Sequence, residues 1–288
     1  MLFNPKKRIL KYLKGARKKG EPGLNPFVLR PFTRDVLKDI PDEWSARGPD
    51  FVGFGCGKAG TSWWYSLIRR HPQVVQNRAQ HKELTYFQHF YYSGLSEEDI
   101  LTYRMAFAAP EGSICGEWSP GYINNPFCAD YLRKAAPDTK ILILVRNPID
   151  RGFSGINQRL QTYGKYYEFN PQQQHVYEII DMQRLIWDSC IKGMKQILKY
   201  FDRSKILVLQ YEKCKIDVNR ELAKTYSFLG IDDQYKPEGI DRPVNSRVNS
   251  TRSLTSHERQ RLADYFADDV YEMIKIFPEI DISLWPDF

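Results

Sequence analysis

Lys58, Thr61 and Ser62 fall within five residues of one another in the stretch FVGFGCGKAGTSWWYSLIRR, residues 51–70, which also carries glycines at 53, 55, 57 and 60. Glycines let a backbone approach an anion closely. A lysine and two hydroxyls add a point charge and hydrogen bonds for phosphate-like oxygens. The run opens on Phe51 and Val52 and passes into an apolar helical pattern at Trp63, Trp64, Leu67 and Ile68. This reads as a strand, a tight loop and a helix whose first N–H groups point at the anion. The plain alternative is a glycine-rich turn with a solvated lysine.

Two further stretches hold candidate chemistry. In KILILVRNPIDRGFSGINQR, residues 140–159, the unbroken apolar run Ile141–Val145 predicts a buried parallel strand. Asn147-Pro148 then turns the chain into a helix beginning near Asp150. Arg146 at the strand's end and Ser154 one helical turn into the next element can grip a phosphate from two sides. A salt bridge from Arg146 to Asp150 is the structural alternative. In HKELTYFQHFYYSGL, residues 81–95, Lys82 and Glu83 stand next to Tyr86 and Phe87. Burial against those rings would raise the pKa of the Glu83 carboxyl toward that of a useful general base. An exposed Lys-Glu pair on a loop is the competing reading.

Which anion the first loop holds is not decided by spacing. An ordinary P-loop requires Gly-Lys-Ser/Thr, and Ala59 follows Lys58. A dinucleotide fingerprint, G-x-G-x-x-G, is matched by Gly55, Gly57 and Gly60, with Glu83 near the expected ~20 residues on. HKELTYF is nevertheless a poor end for the second strand which that fingerprint needs.

A family resemblance separates these readings. GCGKAGTSWW resembles the 5′-phosphosulfate loop of sulfotransferases that use 3′-phosphoadenosine 5′-phosphosulfate (PAPS), in which the lysine is followed by a small residue, Gly and a Thr/Ser pair. The resemblance implies that Lys58 binds the phosphosulfate and stabilises charge on the bridging oxygen. It implies that the amides of Ala59 and Gly60, with Thr61 and Ser62, hold the 5′-phosphate. LVRNPIDRGFS resembles the 3′-phosphate segment, which implies contacts from Arg146 and Ser154. Lys58 and Arg146 are 88 residues apart, and two such grips fit a nucleotide with phosphates at both 3′ and 5′.

KELTYF, followed by a tyrosine-rich stretch and Gly94, is similar to heparan-sulfate-type and related carbohydrate sulfotransferases, whose glutamate before an aromatic pair is the base. Carried over, that base is Glu83. Cytosolic aryl and steroid sulfotransferases use a histidine, which leaves His81, the nearer, and His89 as fallbacks. GEWSPGYINNP resembles a cleft-lining segment, with Trp118 where the glycosaminoglycan branch has a lysine. That departure argues against a highly anionic polymer as acceptor. VNSRVNSTRS, residues 244–253, loosely matches the basic loop that closes over the cofactor and so implies Arg247. The resemblance spans roughly residues 50–288.

The chain has 288 residues, ample for one large α/β domain. Its formal charge of +7 is a property of its first 20 residues, which hold eight Lys/Arg and no acid. The rest is close to neutral, which excludes a broad nucleic-acid-binding face. In that tail Ile9, Leu10, Leu13 and Ala16 fall at helical spacing, so it reads either as a peripheral membrane contact or as a solvated terminus. No apolar run reaches membrane-spanning length and no signal-peptide pattern is found, so a cytoplasmic, at most membrane-peripheral, location is expected. Five scattered cysteines without metal-ligand spacing predict free buried thiols, and no metal is expected.

Ser96 and the acids after it predict a capped helix over Glu97–Ala109, and Val74–Gln76 a short strand. Residues 160–175 read as a loop over the acceptor site, 176–201 as one or two helices, 206–212 as a strand and 257–277 as the last helix. Tyr91, Tyr92, Trp118, Tyr163, Tyr166 and Tyr167 are the expected aromatic lining of the acceptor cleft.

The expected fold is one α/β domain over residues 21–288, a P-loop-like parallel sheet of four or five strands flanked by helices. The expected function is sulfuryl transfer from PAPS, leaving PAP, to a hydroxyl or amine of a carbohydrate, lipid-linked or small-molecule acceptor. The alternatives are a Rossmann-like NAD(P) oxidoreductase and a non-catalytic PAP-binding protein.

Overall fold

Five short strands organise the protein: β1 (Phe51–Gly53), β2 (Val74–Val75), β3 (Ile114–Trp118), β4 (Lys140–Val145) and β5 (Ile206–Gln210). The computed structural model describes residues 40–41, 43–44, 46–91, 94–163, 190–240 and 254–288. The strands pair in parallel in the order β2-β3-β1-β4-β5. Parallel neighbours need crossovers, and helices supply them. They are α1 (Thr61–Ile68), α2 (Glu97–Met105), α3 (Cys128–Ala135), α4 (Pro148–Tyr163), α5 (Cys190–Ile197), α6 (Tyr211–Ile216), α7 (Val218–Leu229) and α8 (Ser256–Ile276).

The strand sequences explain the burial. KILILV and ILVLQ are apolar almost throughout, as strands covered on both faces must be, and only Lys140 at the start of β4 escapes full burial. From β1 the chain moves out to β2 and back to β3 on one side, then crosses to β4 and β5 on the other. The carboxyl end of β1 is therefore the topological switch point, where an open α/β sheet leaves a crevice for ligands.

Several expectations hold with shifted boundaries. Ser96 caps α2 in a reciprocal box with Asp99, its Oγ accepting the Asp99 N–H at 3.2 Å, and the helix ends at Met105. α4 begins at Pro148 because Asn147 Oδ1 accepts the N–H groups of Ile149 (2.9 Å) and Asp150 (3.3 Å). It runs on to Tyr163, taking in the first residues of the expected 160–175 loop. The rest of that loop, the basic tail, most of the 176–201 segment and the 244–253 loop with Arg247 lie outside the described residues. β3 and α3 were not anticipated. All five cysteines are free and buried.

A small second apolar cluster of Ile149, Leu262 and Ala263, backed by Leu254, Phe266 and Phe288, seals α8 onto the start of α4. No helix among the described residues is long and apolar enough to cross a membrane.

Candidate active site

The loop between β1 and α1 sits at the switch point. Lys58 adopts a left-handed backbone (φ 66°), a conformation costly for a side-chain-bearing residue and found disproportionately at functional sites. Its Nζ donates to Gln158 Oε1 on α4 at 2.7 Å. Ala59 is buried and its N–H donates to the Cys56 carbonyl at 3.2 Å, which fixes the shape of the loop. Gly60 caps α1 at φ 92°, and a Cβ there would come within 2.7 Å of the Tyr211 ring. Only glycine satisfies both demands. Thr61 and Ser62 open the helix, with their hydroxyls turned to the site.

Arg146 leaves the end of β4 and donates through Nη1 to the Lys58 carbonyl at 3.3 Å. The two stretches that sequence singled out separately thus share one crevice. The Arg146 guanidinium also lies 4.8 Å from the Tyr211 ring centroid. Tyr211 therefore braces the loop and the arginine at once. The alternative salt bridge from Arg146 to Asp150 does not form; Asp150 pairs with Arg259 instead. Ser154 is half-buried on the second turn of α4.

The third stretch arrives beside them. Lys82 Nζ donates to Thr61 Oγ1 (3.1 Å), Ser62 Oγ (3.2 Å) and Glu83 Oε1 (2.8 Å). Burial pulls the Lys82 ammonium below its ordinary pKa, an effect partly offset by Glu83. Glu83 itself is 49% exposed, while Tyr86 and Phe87 turn away into the core. The expected burial of Glu83 against those rings is thus not found; its partner is a half-buried lysine. His81 is exposed two residues away, and half-burial lowers the pKa of His89.

What holds the Glu83 segment is a network that sequence reasoning missed. The Trp118 N–H donates to the Lys82 carbonyl (2.8 Å), the Leu84 N–H to Glu117 Oε2 (3.0 Å) and the Thr85 N–H to Ser119 Oγ (2.9 Å). Glu117 is fully buried and also accepts from Tyr103 (2.8 Å), Tyr122 (3.1 Å) and Ser119 (2.5 Å) hydroxyls. Burial pushes its pKa up, and the four donors oppose that rise. Upstream, Asn77 brackets His81 through its side-chain amide, donating to the His81 carbonyl at 2.7 Å. A buried Glu between Gly116 and Trp118 offers no spacing signal, so only the three-dimensional donor set identifies it.

Trp118 is fully buried and lies beneath the β1–α1 loop, its Nε1 donating to the Gly55 carbonyl at 3.0 Å. A Cβ on Gly53 would fall 2.0 Å from its ring. It lines no acceptor cleft, which corrects the sequence reading. Of the other expected aromatics, Tyr91 is exposed and edge-on to Phe127 at 5.2 Å. Tyr92, Tyr166 and Tyr167 lie outside the described residues, as does Arg247. Among the described residues no group of three or more His, Cys, Asp or Glu gathers around a metal-sized site.

A glycine-rich strand–loop–helix at the switch point of a parallel sheet, with an arginine entering from the neighbouring strand, is the architecture of an anion-binding α/β protein. The comparison with known proteins makes the class specific: the family model described as "Sulfotransferase domain" matches residues 49–265, and the chain belongs to that family. The literal G-x-G-x-x-G match therefore lies inside a sulfotransferase domain, and Glu83 stands beyond β2 rather than at its end, as a dinucleotide site would require. A sulfotransferase structure from Alicyclobacillus acidocaldarius shares the fold, with TM-score 0.63 and 22% identity over 83% of this chain and 98% of that one.

Among curated relatives, "Membrane-associated sulfotransferase kil1" of Dictyostelium discoideum is 26% identical over 157 residues, covering 54% of this chain and 32% of that protein. "Heparan sulfate glucosamine 3-O-sulfotransferase 3A1" of Mus musculus is 26% identical over 203 residues, covering 68% and 49%. The chain thus spans a third to a half of these relatives' length. The likeness to heparan-sulfate-type enzymes read from the motifs is borne out.

Proposed function

We propose that this protein transfers a sulfuryl group from PAPS to a hydroxyl or amine acceptor, with a carbohydrate as the favoured class. The observation that carries the reading is the contact between Arg146 and the Lys58 carbonyl, which joins two anion grips in one crevice. The donor set fits a nucleotide with phosphates at both ends. Lys58, Gly60, Thr61 and Ser62 line one end, with Ala59 shaping the loop; Arg146, Ser154 and, by resemblance, Arg247 serve the other. Bound PAPS would supply the sulfuryl group and leave as PAP.

The chain's own groups do the rest. Lys58 exchanges Gln158 for the bridging oxygen and supplies positive charge where negative charge builds. Lys82, already on the Thr61 and Ser62 hydroxyls, adds a second cation at that end of the crevice. Glu83 takes the acceptor's proton. Its exposure leaves it open to an acceptor from solvent, and its pairing with Lys82 aims it toward the loop. The carbohydrate preference draws on the heparan sulfate relatives, although the buried Trp118 gives no cationic contact for a polyanion. The name of the Dictyostelium relative favours the membrane-peripheral reading of residues 1–20, which co-sedimentation with anionic vesicles checks.

The test is thermal unfolding with PAP, ATP-Mg, NAD(P) or buffer alone, because a ligand that binds only the native state raises the midpoint. PAP alone should stabilise. A shift from NAD(P) or ATP-Mg without one from PAP overturns the reading.

A further inference from the structure

The turn that carries Arg146 is held from a distance. Asn147, the next residue, gives its backbone N–H to Glu212 Oε1 (3.0 Å) and its side-chain Nδ2 to Asp287 Oδ2 (2.9 Å). Its Oδ1 caps α4 through Ile149 and Asp150. Arg259, on the first turn of α8, closes the circuit. Its Nε donates to Asp287 Oδ1 (2.7 Å) and its Nη2 to Asp287 Oδ2 (2.6 Å), a two-pronged fork. Nη1 and Nη2 both reach Asp150 Oδ1 at 3.1 Å. One guanidinium thus bridges the two acids that flank the 147–150 turn.

The rest of α8 anchors this contact. Thr255 and Glu258 form a reciprocal cap at its start, and Leu262 and Ala263 pack on Ile149. The apolar cluster gives α8 a hold on the start of α4 that does not involve Arg259, so what the guanidinium adds is a grip on the turn. Asp287 is nearly buried, and its partnership with Arg259 holds its carboxyl below the usual range. Both charges are therefore in place at neutral pH.

We infer that Arg259 is a positioning residue for recognition of a nucleotide's 3′-phosphate: through Asp287, Asn147 and Asp150 it fixes the β4–α4 turn, and with it the approach of Arg146 and Ser154. The inference rests on the nucleotide reading above and deepens it. A lysine cannot substitute, because a single ammonium cannot fork Asp287 and reach Asp150 together.

The experiment compares binding of PAP and adenosine 5′-monophosphate, which lacks the 3′-phosphate, by calorimetry on the whole protein. The variants are Arg259→Ala, Arg259→Lys and Asp287→Asn, and each midpoint of unfolding is recorded. Wild type should prefer PAP. Arg259→Ala should cut that preference about tenfold, the loss expected when one hydrogen bond to a charged group is weakened. Its affinity for the monophosphate should stay within about twofold, as for surface changes remote from a ligand. Arg259→Lys should resemble Arg259→Ala, and Asp287→Asn should show a smaller loss in the same direction. Should Arg259→Ala not fold, Asp287→Asn carries the test alone. An unchanged preference, or an equal loss for both ligands, overturns the positioning role. A wild type that does not distinguish the two ligands overturns the nucleotide reading itself.

Discussion

The two sides of the crevice are built differently. On the β1–β4 side the proposed anion grips come from strand ends and a helix start, so backbone geometry places them: Gly60 at φ 92°, Lys58 at φ 66°, Arg146 one residue past β4. On the β3 side Lys82 and Glu83 ride on an irregular segment that has no regular structure of its own. Side chains place it, chiefly the buried Glu117. Backbone-placed groups should tolerate changes in their surroundings that side-chain-placed groups do not.

The largest expected effect tests the chemistry on the β3 side. Glu83→Gln keeps the Lys82 contact geometry but cannot take a proton. Transfer should fall by roughly 10²–10⁴-fold while PAP affinity is retained. A wild-type rate would remove Glu83 from the mechanism and bring His81 forward. Lys58→Ala, on the other side, should lower transfer by about 10²–10³-fold and weaken PAP binding as well. If PAP binding survived intact, the loop would not be the 5′ grip.

Next comes the support of the backbone-placed side. Trp118→Ala empties space directly under the loop and should cost about 3–5 kcal/mol, read by chemical denaturation. Trp118→Lys, which installs the lysine of the glycosaminoglycan branch, should destabilise too, because it also buries an unpaired charge. A stable Trp118→Lys protein with gained affinity for sulfated sugars would return Trp118 to the acceptor cleft.

The smallest effect concerns pH. Burial raises the pKa of Glu117 above its ordinary value of about 4.5, so the folded state binds its proton more readily than the unfolded chain does. The stability it contributes is complete below that value and is lost as pH rises through the folded pKa. The midpoint gap between wild type and Glu117→Gln should therefore shrink as pH rises from about 4.5 to neutrality. A gap that widens would reverse the assigned direction.

The same contrast explains what was legible in the sequence. The phosphate loop and the β4–Arg146 turn announce themselves because glycine spacing, an apolar run and Asn-Pro are local signals of backbone shape. Ser96 was legible as a cap for the same reason. β3 was not, because Gly116 and Glu117 interrupt ICGEW, and a glutamate reads as a surface residue until four donors are seen around it. Trp118 was misread because an aromatic beside a motif looks like a cleft wall, whereas its place is set by the missing side chain at Gly53, on a strand 65 positions earlier in the chain. Arg259 and Asp287 carry no motif; their meaning comes from Asn147, more than 100 residues upstream.

The fit of Trp118 over Gly53 also sets an order on how this site can change by single steps. Position 53 cannot acquire even a methyl group while the indole is there, since that methyl would overlap the ring. Position 118 must shrink first, and the intermediate then carries a void beneath the β1–α1 loop and a Gly55 carbonyl that keeps the Leu144 N–H but has lost the indole donor. A route from tryptophan to a smaller residue here therefore passes through weakened loop support, and the two positions should change as a pair.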